Sequence, residues 1–197
     1  MPRPVLNPNS LVWAGDHLLL GLRRPDRTAD TTVVSYYRTQ WSPAGAGQAA
    51  LVLSDAAGGH GAIYTDSPAL TTWLQTELVR PENPFQDRSL PVRTARFETT
   101  GSIADTWQTV IRAEAATVLL TWTDFEPPLF LEAPDPAIRA GLDIFSLIAP
   151  AGTGLVEING QRAAGAPYPN ETWRAATGQA RSSALVAVGE VLLRRRA

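Results

Sequence analysis

The sequence predicts a mainly β fold, an antiparallel β-barrel or β-sandwich of about ten strands with one short helix near 67–79. Three observations point there. Runs rich in Thr, Val, Ile and aromatic residues recur along the chain, broken by Gly, Pro and Asn. Only one segment combines helical apolar spacing with a helix start signal. A flat sheet of this many strands would leave long unpaired edges, which a closed or doubled sheet removes.

In chain order, strands are expected at 11–20, 31–41, 49–54 and 60–65. Within the first, Gly15-Asp16-His17 reads as a turn leading into the apolar Leu18-Leu19-Leu20 run. The helix follows at about 67–79, with Ser67 as N-cap, Pro68 at the first helical position, and Leu70, Trp73, Leu74 and Leu78 at helical spacing. It stops before Pro81, in the turn-rich Pro81-Glu82-Asn83-Pro84. Further strands are expected at 91–100, 103–113, 116–126, 142–149, 154–159 and 184–194. Pro127-Pro128 ends one of them, and Ala133-Pro134-Asp135-Pro136 ends the short run that follows. Gly152-Thr153-Gly154 reads as a hairpin turn, and Asn159-Gly160 as a tight one. Clusters of Gly, Ala and Pro at 43–50, 133–141 and 163–169 suit surface loops.

The chain has 197 residues, enough for one β domain over 1–197, with a split into two small β units near 81–91 as the alternative. Hydrophobic residues make up 44% and charged residues 18%, which marks an ordered, core-forming chain. A net charge of −2 argues against a nucleic-acid partner. With no cysteine, disulfides, thiolate metal sites and thiol catalysis are excluded. All 17 basic residues are arginine, so Schiff-base chemistry and a phosphate-loop lysine are excluded too. No stretch approaches the roughly 20 apolar residues of a membrane helix. Met1-Pro2-Arg3-Pro4 lacks the apolar core of a signal peptide, and the expected compartment is the cytoplasm.

A register argument over 91–126 picks out a candidate site. If Thr100-Gly101 and Glu114-Ala115 are two-residue turns, Arg96 falls opposite Asp105, and Asp105 opposite Asp124. Thr94 then faces Trp107, and Trp107 faces Trp122. Val92, Ile103, Ile111, Val118 and Leu120 share that inward face, while Arg93, Ala95 and Phe97 take the other. Arg96 between two aspartates, beside two tryptophans, would make the polar end of a small-molecule site. The same pattern also suits an ordinary cross-strand ion pair over a tryptophan core, worth ~0.2–1 kcal/mol.

Three further residues are candidates: His60 in the bare-backbone loop Gly58-Gly59-His60-Gly61, and Tyr36 and Arg38 on one face of a strand. Tyr and Arg beside an apolar wall can grip an anionic or aromatic ligand. The residues suit an exposed turn and a half-buried strand equally well. The two histidines stand far apart, there is no Gly-x-Ser-x-Gly elbow, and no cofactor or metal ligand set is expected. Arg194-Arg195-Arg196 reads as a solvated strand end.

The meander pattern resembles lipocalin-like barrels in architecture only, which implies an interior that holds a small apolar molecule. Their Gly-x-Trp signature is absent, since Trp13 is followed by Gly15 and not preceded by glycine. The leading expectation is a barrel or sandwich that binds a small apolar or aromatic ligand through Arg96, Trp107, Trp122, Asp105 and Asp124. One alternative is an acid–base enzyme, an isomerase, hydratase or glycan-active one, with Asp105 and Asp124 as catalytic pair. Another is a non-catalytic homo-oligomer that uses the apolar strand 185–193 as a sheet edge.

Overall fold

The computed structural model describes residues 10–81, 83–133 and 141–194. Met1 to Pro4, most of the loop expected at 133–141, and Arg195 and Arg196 lie outside the described residues.

The first half holds β1 (Leu11–Leu22), β2 (Thr32–Trp41), β3 (Gly47–Ser54) and β4 (His60–Thr65), then α1 (Pro68–Trp73), extended by a π-helical turn, Leu74–Leu78. The Ser67 hydroxyl accepts from the Leu70 N–H, as an N-cap should. The second half holds β5 (Val92–Gly101), β6 (Trp107–Ala113), β7 (Ala116–Phe125), β8 (Leu129–Ala133) and β9 (Leu142–Ile158). β10 (Gln161–Arg162), β11 (Pro169–Asn170), α2 (Arg174–Thr177), β12 (Arg181–Ser182) and β13 (Ala184–Arg194) complete the chain.

Nine strands close into a barrel in the order β9-β13-β1-β2-β3-β4-β5-β6-β7, and β7 pairs back onto β9. Every neighbouring pair is antiparallel except β4 and β5, which the segment carrying α1 joins in parallel. Strands on both sides of 81–91 therefore belong to one closed sheet. No helix among the described residues is long and apolar enough to cross a membrane.

Strand alternation gives the sheet two buried faces. Leu18, Leu20, Tyr36, Val52, Tyr64, Ile111, Leu120 and Trp122 point inward and fill the barrel. Across this core the Trp122 Nε1–H donates to the Leu19 carbonyl at 2.8 Å, so its polar atom is satisfied. On the outside, Leu70, Leu74, Leu78 and Phe85 roof Ala49, Leu51 and Ile63, in a second core that continues to Leu131, Ile144, Ile148 and Leu192.

Four expectations are corrected. β5 and β6 are joined by the loop 102–106, not by a two-residue turn, so Arg96 faces Arg112 and Gly101 faces Trp107. That odd shift turns β5 over: Ala95 and Phe97 pack inward and Val92 is exposed. Gly101, at φ 86°, begins the loop in a left-handed conformation, and the Ser102 N–H closes it on the Thr106 carbonyl at 2.9 Å. Gly152-Thr153-Gly154 is not a turn but part of β9, which β7 holds straight through Trp122↔Gly154 and Thr123↔Thr153. Gly15-Asp16-His17 is mid-strand, where a Cβ on Gly15 would lie 2.2 Å from the Arg38 carbonyl oxygen, so glycine permits a β-bulge there. The strand 185–193 is no edge, because β13 is flanked by β1 and β9.

The Glu114-Ala115 turn is as expected, with Ala113 opposite Ala116 and Trp107 opposite Trp122. Asn159-Gly160 likewise closes Ile158 onto Gln161, both turn residues having positive φ.

Candidate functional site

Register places Asp16 (β1), Arg38 (β2) and Gln48 (β3) side by side on the inward face, one turn of the pleat above Leu18, Tyr36 and Ala50. β4 leaves the sheet after Thr65 while β5 runs on to Gly101. The wall therefore has a notch above Tyr64, and Phe97 and Thr99 of β5 face Arg38 and Gln48 across a cleft of about 340 Å³.

The polar groups of this cleft are held from behind. Asp16 is 5% exposed, with Oδ2 3.1 Å from Arg38 Nη1, and its Oδ1 accepts from the Gly189 N–H at 2.9 Å. Gly189 sits at a bulge in β13 and has φ 60°. Arg38 stands over the Trp107 ring, 5.6 Å from its centroid. The Tyr36 hydroxyl donates to Gln48 Oε1, and the Gln48 side-chain amide donates to Asp66 Oδ2 at 3.2 Å. The Tyr36 ring stacks on Phe97 at 5.4 Å. Burial, the largest influence on it, holds the Tyr36 phenol well above its usual range, so it serves as a neutral donor.

Behind Asp16, on the outer face of the same strands, lies a second polar group. Burial, reinforced by the Asp16 charge, pushes the Glu190 carboxyl up to about 8. Its Oε1 is 4.0 Å from His17 Nδ1, and His17 Nε2 lies 3.1 Å from the Ser35 hydroxyl. Burial lowers His17 to about 4, and its ring stacks on Tyr37 at 4.2 Å. Near neutral pH Glu190 is thus mostly protonated and His17 uncharged.

The structure brings together only part of the constellation drawn from sequence. Trp107 and Trp122 are cross-strand neighbours inside the barrel, and Tyr36 and Arg38 share that face. Arg96 is exposed on the opposite face of β5, and Asp105 is exposed in the loop 102–106. Asp124, exposed with φ 55°, accepts from the Thr153 hydroxyl at 2.5 Å. The Arg96–Asp105–Asp124 row required a two-residue first turn, and it dissolves with that turn. His60 lies at the other end of β4, its Nε2 2.8 Å from the Tyr64 hydroxyl, and burial together with Arg93 lowers its pKa.

Asp16, Gln48, Phe97 and Thr99 were missed. For Asp16 the signal was present, because alternation with Leu18 and Leu20 puts it on the core face once Gly15 is read as a bulge. Gln48 and Thr99 carried none, since their meeting depends on where β4 ends. Among the described residues no group of three or more His, Asp or Glu side chains is placed to hold a metal ion.

Comparison of the chain with protein families, with curated proteins and with solved structures gives no match. What is established is the class, a closed β-barrel with added strands and short helices, and its site is read from its own chemistry.

Proposed function

We propose that this barrel binds a small organic molecule at its upper mouth, with Arg38 anchoring an anionic group. The observation that carries the reading is the placement of Arg38. Asp16 engages its Nη1 from behind, Trp107 supports its plane from below, and the guanidinium lines a cleft that also offers Gln48 and Thr99 as polar partners. A cation preorganised by a buried acid recognises carboxylate or phosphate at little ordering cost. The apolar interior expected of such a barrel is occupied at the level of Tyr36, Tyr64 and Trp122, each fully buried, which moves the site from the interior to the mouth.

The test compares benzoate with its neutral counterpart benzamide by amide chemical-shift titration. Benzoate is expected to shift the resonances of Arg38, Gln48 and Thr99 at least tenfold more tightly than benzamide does. The Arg38→Gln variant should bring the two ligands level. Equal binding of both by the unmodified protein, or benzoate shifts that survive in Arg38→Gln, would overturn the reading.

A further inference from the structure

The sheet does not stop at the mouth. β7 ends at Phe125, and β8 continues along the same edge of β9 beyond it, from Leu129↔Ile148 to Ala133↔Ile144. β8, the first half of β9, and the ends of β13, β1 and β2 thus rise above the barrel as an open extension. One face of this extension is buried in the outer core, under Trp173 and Ala176 among others. The other continues the barrel's inward face and is open.

That open face is apolar and begins beside Arg38. Along one cross-strand row, Phe130 pairs with Leu147 and Leu147 with Val188. At the β13 bulge this row reaches Gly189, whose N–H holds Asp16, the partner of Arg38. The row above it runs from Phe145 through Val191 and Ala14 to Trp41. Four large apolar side chains stand out as exposed among the described residues: Phe130 at 65%, Val92 at 51%, Trp41 at 42% and Leu147 at 37%. Three of the four, all but Val92, lie on this one shelf. Scattered exposed apolar residues need no explanation, but a contiguous set rimming a polar cleft does.

From this juxtaposition we infer that the ligand is an amphipathic anion, its charged head on Arg38 and an apolar tail along the Val188–Leu147–Phe130 row. The inference rests on the mouth being the binding site and adds the class of molecule. Charge complementarity selects this occupant. Among the described residues the shelf meets Arg38 at its lower edge, held there by the buried Asp16, and Glu132, opposite Phe145, is an acid at its far side, so a negative head has one favourable end. Leu147 is three strands from Arg38, a path of roughly 14 Å at ordinary strand spacing. A tail of about that length covers the shelf, and a short acid leaves it bare.

Straight-chain carboxylates test this by calorimetry on the full chain, from butanoate to decanoate and below their micelle concentrations. Affinity is expected to rise about three- to fourfold per added methylene, as apolar burial dictates. In Leu147→Ser, at an exposed position, the decanoate-to-butanoate affinity ratio should fall at least tenfold. Arg38→Gln should weaken every member of the series. If butanoate and decanoate bind alike, the amphipathic ligand is refuted while the anion site stands. Binding of neither, and of benzoate neither, refutes the site itself. A dimer in sedimentation that Phe130→Ser abolishes would assign the shelf to a second copy of the chain and overturn the inference.

Discussion

Two stretches of the same inward face meet opposite fates. In the closed barrel, Leu18 on β1, Val186 on β13 and Val156 on β9 are fully buried, and Trp122 reaches across to a backbone carbonyl. A few residues further along β13 and β9, on the same face, Val188 is partly covered and Leu147 faces solvent, as does Phe130 beside it on β8. Composition does not separate the regions, since both are rich in Val, Leu and aromatics. Closure does. Where β5, β6 and β7 complete the wall the alternation makes a core, and where they stop the same alternation makes a surface.

That contrast predicts unequal responses to substitution. The largest should come from the closed part, where Trp122→Ala removes a fully buried ring and costs about 3–5 kcal/mol of stability by urea unfolding. A cost under about 1 kcal/mol would mean that the interior is not the packed core described.

An intermediate effect is expected at the seam, from Glu190 behind Asp16. Its pKa is raised in the folded chain, so its stabilisation is complete below about 4.5 and is lost as pH rises through about 8. His17 is lowered, and its contribution, present above about 6.5, is lost as pH falls through about 4. Above the His17 window, from about 6.5 to about 8, only Glu190 of the pair is changing stability, which falls with rising pH by up to ~1.4 kcal/mol per unit. Urea titrations across that range should show this slope in the unmodified chain and a nearly flat line in Glu190→Gln. A slope unchanged in the variant would place the titrating group elsewhere.

The smallest effect belongs to the open extension. Phe130→Ser should change stability by no more than ~0.5 kcal/mol, as for an exposed side chain with no structural task. A melting temperature lowered as much as in Trp122→Ala would erase the distinction between the two regions.

Sequence reading followed the same divide between local and nonlocal. The helix start at Ser67-Pro68 was legible because a cap and its N–H lie three residues apart. The hairpins at Glu114-Ala115 and Asn159-Gly160 were legible because two residues specify each turn. The β5–β6 connection was not. Thr100-Gly101 resembles a tight turn, yet Gly101 opens a longer loop, and one misjudged loop reverses a whole strand. That error carried Arg96 and Asp105 into the predicted site and left Phe97 and Thr99 out. Arg38 and Tyr36 survived it because their face depends only on alternation within β2.

By itself, then, the sequence determined the β class, most strand positions, the capped helix and the side chains that alternate on each strand, all set by contacts a few residues apart. Tertiary structure alone decided that β9 runs unbroken through two glycines, that β7 returns to it to close the barrel, and that β4 ends early enough to open a cleft. Those outcomes join residues far apart in the chain, and their energies come from pairing and burial that exist only once the sheet has closed.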